Sequence, residues 1–152
     1  RGFIPNSKFY STVFNTERWH AHNIISISIG QGEILTTPLQ IANMGATIAN
    51  RGFYYTPHVV SNIKNGSLDP ELTKKHETGI NREHFELTVK GMGDAVTMGT
   101  CRGINLEPLV EVCGKTGTSE NPHGDDHSLF MGFAPKNNPQ VAIAVIVENG
   151  RF

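Results

Sequence analysis

The sequence has no run of five basic residues, and its 13 Lys and Arg against 14 Asp and Glu leave a formal charge of −1. That balance excludes the basic footprint of a nucleic-acid binder, so no nucleic-acid partner is expected. Long apolar stretches are absent as well. The longest, Val141 to Val147, covers seven residues, against the roughly 20 that a membrane-spanning helix needs. The opening Arg1-Gly2-Phe3-Ile4-Pro5 has neither an initiating Met nor the apolar core of a signal peptide, and it reads as an internal start. Cysteine is scarce. Cys101 and Cys113 lie twelve positions apart with nothing to fix their geometry, and they read as two free thiols. Repeats and low-complexity tracts are missing too. What remains is 38% hydrophobic and 18% charged residues in a chain of 152. This is ordinary globular composition, long enough for one core.

The pattern along the chain predicts α+β architecture. Arg1 to Asn23 is mixed and turn-rich, and reads as a surface connection. Ile24 to Ile29 is β-branched and alternates in its second half, which reads as a short strand or extended segment closed by Gly30-Gln31-Gly32. Thr37, Pro38 and Gln40 then supply the cap, first position and capping-box partner of a helix start. Its apolar residues cover much of the circumference, and Asn50-Arg51-Gly52 offers a glycine for a left-handed cap. Phe53 to Ile63 reads as extended and aromatic, broken by Pro57, and Asn65-Gly66 marks a turn in an exposed excursion. A second helix is expected after Asn81, with Phe85, Val89, Met92 and Val96 as its apolar stripe. The last third reads as three strands, within Val110–Ser119, Ser128–Ala134 and Gln140–Glu148, the last two joined by Lys136-Asn137-Asn138-Pro139. Both faces of Val141–Val147 are apolar, so cover is expected on both sides.

Gly114-Lys115-Thr116-Gly117-Thr118 is the most informative segment. Gly-Lys-Thr also closes a phosphate-binding loop, but that motif requires glycine five places before Gly114, where Leu109 stands. It must also open a helix, whereas Glu120-Asn121-Pro122-His123-Gly124 predicts a turn. The other reading is the Lys-Thr-Gly strand of serine acyltransferases. Lysine supplies a cation for an anionic substrate terminus. Threonines two apart place both hydroxyls on one face of a strand, and Gly117 leaves room where a substrate backbone would lie close. The segment Asp125-Asp126 between His123 and His127 has the residue types of a metal site. Pro122 and Gly124 argue against the helix that would gather them, so these residues read as hydrogen-bonding support of a cleft rim, with no metal and no cofactor. His20 and His22 read as solvent-exposed, and Trp19 as core or cleft lining.

Three stretches together resemble the elongation-type class B penicillin-binding proteins, the penicillin-binding protein 2 group. The first is Ser26-Ile27-Ser28-Ile29-Gly30-Gln31-Gly32 with Thr37-Pro38-Leu39-Gln40-Ile41-Ala42 and Ala49-Asn50-Arg51-Gly52. The second is Cys113 to Thr118 with Glu120 to Gly124 and Asp126-His127-Ser128. The third is Phe130-Met131-Gly132-Phe133-Ala134-Pro135. The resemblance runs from about Trp19 onward and implies the penicillin-binding and serine β-lactamase-like fold, with residues 1–152 forming the carboxyl-terminal portion of one transpeptidase domain. It implies that Lys115 attracts a substrate carboxylate and aids proton traffic, and that the Thr116 and Thr118 hydroxyls bind that carboxylate. Gly117 admits the substrate, and the Thr118 backbone N–H donates to the oxyanion. Stem peptides ending in D-Ala-D-Ala, β-lactams, the remaining part of the same protein and the cell-elongation machinery are the implied partners. The implied location is the periplasmic face of the inner membrane.

The family's nucleophile is expected in sequence upstream of Arg1, with no serine here heading its Ser-x-x-Lys pattern. The second pattern, Ser-x-Asn or Ser-x-Asp ahead of Gly30-Gln31-Gly32, does not occur from Arg1 to Gly30. Without a nucleophile and its lysine, the isolated chain is expected to be inactive. A non-catalytic β-lactam sensor of the same fold is the alternative.

Overall fold

The computed structural model describes residues 2–15 and 21–150. Trp19 and His20, and the side chain of His22, lie outside what it describes. Helices α1 (Ser7–Val13) and α2 (Ala21–Ser28) come first, followed by α3 (Pro38–Ala49). A two-residue strand β1 (Phe53–Tyr54) pairs antiparallel with β2 (His76–Glu77), with the short α4 (Pro70–Thr73) between them. Helix α5 (Arg82–Thr97) leads through a 3₁₀ turn at Arg102–Ile104 to β3 (Cys113–Ser119), β4 (His127–Ala134) and β5 (Val141–Val147). These last three form one antiparallel sheet in the order β3-β4-β5. The expected α+β layering therefore holds.

Register divides the sheet into two unlike faces. Cys113, Lys115 and Gly117 stand opposite Phe133, Met131 and Leu129, which stand opposite Ala142, Ala144 and Ile146. This face packs on α3 and α5, and its core joins Cys113, Met131 and Phe133 to Val89 and Met92 of α5 and Ala49 of α3. The predicted stripe of α5 is the reason: Phe85, Val89, Met92 and Val96 are all buried. Close approach of α3 is set by Gly45, where a Cβ would stand 3.2 Å from Met131 Cγ. The other face carries Thr116, Phe130, Ile143 and Val145, and its β5 residues are half exposed. Val141–Val147 is thus covered on one side only, where cover was expected on both.

Three local readings need correction. The amino-terminal stretch is not merely a connection: α1 buries Tyr10, capped by Asn6, whose side chain accepts from the Phe9 N–H at 2.9 Å. Ile24–Ile29 belongs mostly to helix α2 rather than to a strand. The left-handed Gly30 (φ +80°) closes it: the Gly30 N–H donates to Ile27 O at 2.9 Å and the Gln31 N–H to Ser26 O at 3.0 Å. That pair of bonds is a helix carboxyl cap, and it overrides the β-branched composition. At the end of α3 the same cap puts Arg51, not glycine, at the left-handed position (φ +58°), with Gly52 N–H reaching Thr47 O. Arg51 is compensated by its own side chain, which donates to Ala49 O at 2.6 Å and Lys136 O at 3.3 Å and pairs with Glu86. The capping box at Thr37 and Gln40 forms as predicted. Both cysteines are buried and free.

Candidate active site

Strand β3 borders the sheet, and its backbone is polar on the side away from β4. Residues of an antiparallel ladder turn both N–H and C=O to the same side, alternating along the strand. Thr116 O accepts from Lys115 Nζ at 2.5 Å, and Thr118 O accepts from Gln31 Nε2 at 3.2 Å. Both carbonyls therefore look away from β4, and so do the N–H groups of Thr116 and Thr118. Lys115 starts on the opposite face from the two threonines, yet its ammonium curls to this same edge. The four sequence-predicted residues thus meet along one edge that no other described strand pairs with: Lys115 and Thr118 exposed, Thr116 and Gly117 half-buried. The phosphate-loop alternative ends here, because Gly114-Lys115-Thr116 lies inside a strand and opens no helix.

The two glycines of the motif stand in different surroundings. Gly114 stands opposite Gly132, and the Phe130 ring lies across that pair. A Cβ on Gly114 would come within 2.5 Å of the ring, and one on Gly132 within 2.7 Å. Gly114 is therefore a packing residue. At Gly117 an added Cβ would meet only Leu129 Cβ, at an ordinary 3.6 Å. Nothing among the described residues forces glycine there.

Two contacts at the strand were not anticipated. The Thr116 hydroxyl lies 3.1 Å from that of Thr100, at the mouth of an apolar cavity of about 270 Å³. Gln31 reaches the strand from 87 positions away. Its sequence signals are the pair of glycines around it and its place in a stretch that carries the family resemblance. Behind the motif, Cys113 donates to Val89 O at 3.6 Å, and burial pushes its thiol up to about 11, against the weaker pull of Lys136 and Arg51. It is a packed structural thiol rather than a nucleophile.

One serine does head a Ser-x-x-Lys spacing, Ser61-Asn62-Ile63-Lys64, so the expectation that none would is corrected. Its backbone is not helical, all four residues are exposed, and it runs into the turn closed by Gly66 N–H to Ile63 O. Serine and lysine three apart face one another on a helical turn, which this loop does not provide. The loop after β3 is held by hydrogen bonds. Asn121 N–H donates to Asp126, the Asn121 side chain donates to Asp125 O and Asn149, and Asn149 N–H reaches His127 Nδ1. Among the described residues no cluster of three His, Cys, Asp or Glu is placed to hold a metal.

The sequence matches the penicillin binding protein transpeptidase domain over residues 6–151. It is 35% identical to the peptidoglycan D,D-transpeptidase MrdA of Acinetobacter baumannii over 99% of this chain and 25% of that protein. The fold is similar to Pseudomonas aeruginosa PBP2 in its complex with WCK 5153, with a TM-score of 0.82 and 33% identity over 98% of this chain and 34% of that one. It is also similar to penicillin-binding protein A of Mycobacterium tuberculosis in its imipenem acyl-enzyme complex, with a TM-score of 0.70 and 31% identity over 84% of this chain and 29% of that one. The chain thus spans about a quarter of the length of the curated relative. With the match covering nearly every residue, this chain belongs to the penicillin-binding protein transpeptidase domain family.

Proposed function

We propose that this chain is the carboxyl-terminal portion of one transpeptidase domain and supplies the substrate strand of a peptidoglycan D,D-transpeptidase. A serine from elsewhere in the longer protein attacks the penultimate carbonyl of a D-Ala-D-Ala stem peptide. Its Oγ bonds to the carbonyl carbon, the peptide C–N bond breaks, and D-Ala departs with a proton. An amine from a neighbouring strand then takes the acyl group and returns the serine. β-Lactams acylate the same serine. The observation that carries this reading is the free edge of β3, where Lys115 and the outward backbone of Thr116 and Thr118 can receive an extended peptide as an added strand.

On this reading Lys115 attracts the substrate carboxylate, and the Thr116 and Thr118 hydroxyls bind it. The Thr118 N–H donates to the developing oxyanion, where one such donor is worth about 10²–10³ in rate. The room at Gly117, which packing does not explain, suits a substrate backbone. The mycobacterial relative is described as an imipenem acyl-enzyme, which supports a β-lactam-reactive serine, and the sensor alternative has no observation in its favour. The periplasmic face of the inner membrane and a partnership with the cell-elongation machinery complete the proposal. No helix among the described residues is long and apolar enough to cross a membrane.

Labelling with fluorescent penicillin tests the reading. The full-length protein is expected to take one boiling-stable label. The isolated 152-residue chain is expected to take none, Ser61 included. A stoichiometric adduct on the isolated chain would overturn the division of the site.

A further inference from the structure

Gly30 and Gly32 both adopt left-handed backbone, at φ +80° and +77°, and they flank a single side chain. Only glycine takes such angles without strain. A Cβ on Gly30 would meet nothing within 4 Å, so its absence serves the path of the chain and not packing. That path is fastened on both sides. Gln31 N–H is bonded to Ser26 O, and Glu33 accepts from the buried Tyr10 hydroxyl at 2.9 Å. The Gln31 carboxamide so held donates to Thr118 O, at the residue whose N–H faces the free edge.

We propose that Gln31 is a positioning residue for acyl transfer: its carboxamide holds the Thr118 end of β3 so that the Thr118 N–H stays aimed at the reacting carbonyl. The inference rests on the transpeptidase reading and adds to it a residue outside the Lys115–Thr118 motif. Thr118 is the last residue but one of its strand, close to the turn-forming Asn121–Gly124. Strand ends fray, and an oxyanion donor that wanders loses its preorganisation. A side-chain hydrogen bond from the opposite element removes that freedom without occupying the N–H. A carbonyl oxygen has two lone pairs, so Thr118 O can accept from Gln31 and from an added strand together.

The test is the kinetics of β-lactam acylation in the full-length protein carrying Gln31→Met or Gln31→Ala. Methionine keeps the length and removes the donor. Loss of one neutral hydrogen bond predicts an acylation rate constant about three- to tenfold lower. The non-covalent dissociation constant is expected to stay at its wild-type value, because Gln31 bonds to Thr118 and is not placed on the ligand. The thermal midpoint is expected to fall by no more than about a few degrees, as for one hydrogen bond. A faster rate or tighter pre-covalent binding in the variants would mean that Gln31 competes with substrate, and would overturn the proposal. So would an unchanged rate in a protein whose Lys115→Ala variant is slow. Failure of the transpeptidase reading itself looks different: the wild-type protein would take no label, or Lys115→Ala would label at the wild-type rate, and the inference would fall with it.

Discussion

The three-stranded sheet has two edges, and the chain treats them in opposite ways. At β3 two outward carbonyls are met by side chains, Lys115 on Thr116 and Gln31 on Thr118, and the strand itself is Cys-Gly-Lys-Thr-Gly-Thr-Ser. At β5 every residue is Val, Ile or Ala, and among the described strands only β4 pairs with it. Unpaired edges template association unless charge or cover blunts them. The β3 edge is polar and carries the Lys115 ammonium. The β5 edge continues into a half-exposed apolar face, where Val112, Phe130, Ile143 and Val145 line a groove of about 480 Å³. An edge that receives a transient guest needs few apolar groups, whereas an apolar edge calls for a permanent neighbour.

The largest expected effect separates the covered face from the open one. Phe133→Ala removes a ring that is 2% exposed and should cost about 3–5 kcal/mol in denaturant unfolding. Val145→Thr, on a residue 47% exposed, should change the isolated chain by about 0.5 kcal/mol or less. If the longer protein covers this face, the same Val145→Thr there should cost about 1–3 kcal/mol, because its hydroxyl is buried without a partner. Equal costs for Val145→Thr in both settings would show that nothing covers it.

Next comes the polar edge. In the full-length protein, Lys115→Ala should slow β-lactam acylation about ten- to a hundredfold, equivalent to roughly 1.5–3 kcal/mol for one charge-assisted contact. Gly117→Val should impair acylation more than folding, since a Cβ there meets only Leu129, at ordinary contact distance. Wild-type kinetics in both variants would reduce β3 to an ordinary edge strand.

The apolar edge should show itself in sedimentation. The isolated chain is expected to associate as concentration rises, its weight-average mass climbing above 16.7 kDa. Ile143→Lys, which places a charge on the open face, should shift it back toward monomer. A concentration-independent monomer would mean that the β5 edge is quiet.

An effect confined to alkaline pH concerns Cys113, on the covered face two residues before Lys115. Its folded-state pKa is raised to about 11 from an ordinary 9.0, chiefly by burial. The unfolded thiol ionises first, so this group favours the folded state fully below about pH 9 and loses that contribution as pH rises through 11. Stability should fall across that window, and a Cys113→Ser variant should fall less. Thiol reagents at pH 8 should modify Cys113 far more slowly in folded than in unfolded chain.

Much of this was legible in residue order. The Thr37-Pro38-Gln40 start of α3, the stripe of α5 and the three closing strands are local patterns, in which each residue's propensity agrees with the element it joins. The site motif was legible for the same reason, since two-residue alternation puts Thr116 and Thr118 on one face whatever surrounds them. Where local signals conflicted, the sequence misled. Ile24–Ile29 alternates like a strand, but the cap bonds of Gly30 and Gln31 made it a helix. Arg51 took a left-handed position usually left to glycine, because Glu86 and two carbonyls reward its side chain.

Sequence alone determined which strand is polar, which is apolar, and that Gly117 leaves a gap. It could not place Gln31 on Thr118 or Thr100 on Thr116, nor decide which face of β5 stays open. Those depend on where α2, α3 and α5 come to rest against the sheet. Packing across a separation of 87 positions sets the Gln31 contact, and no local preference in the chain encodes that distance.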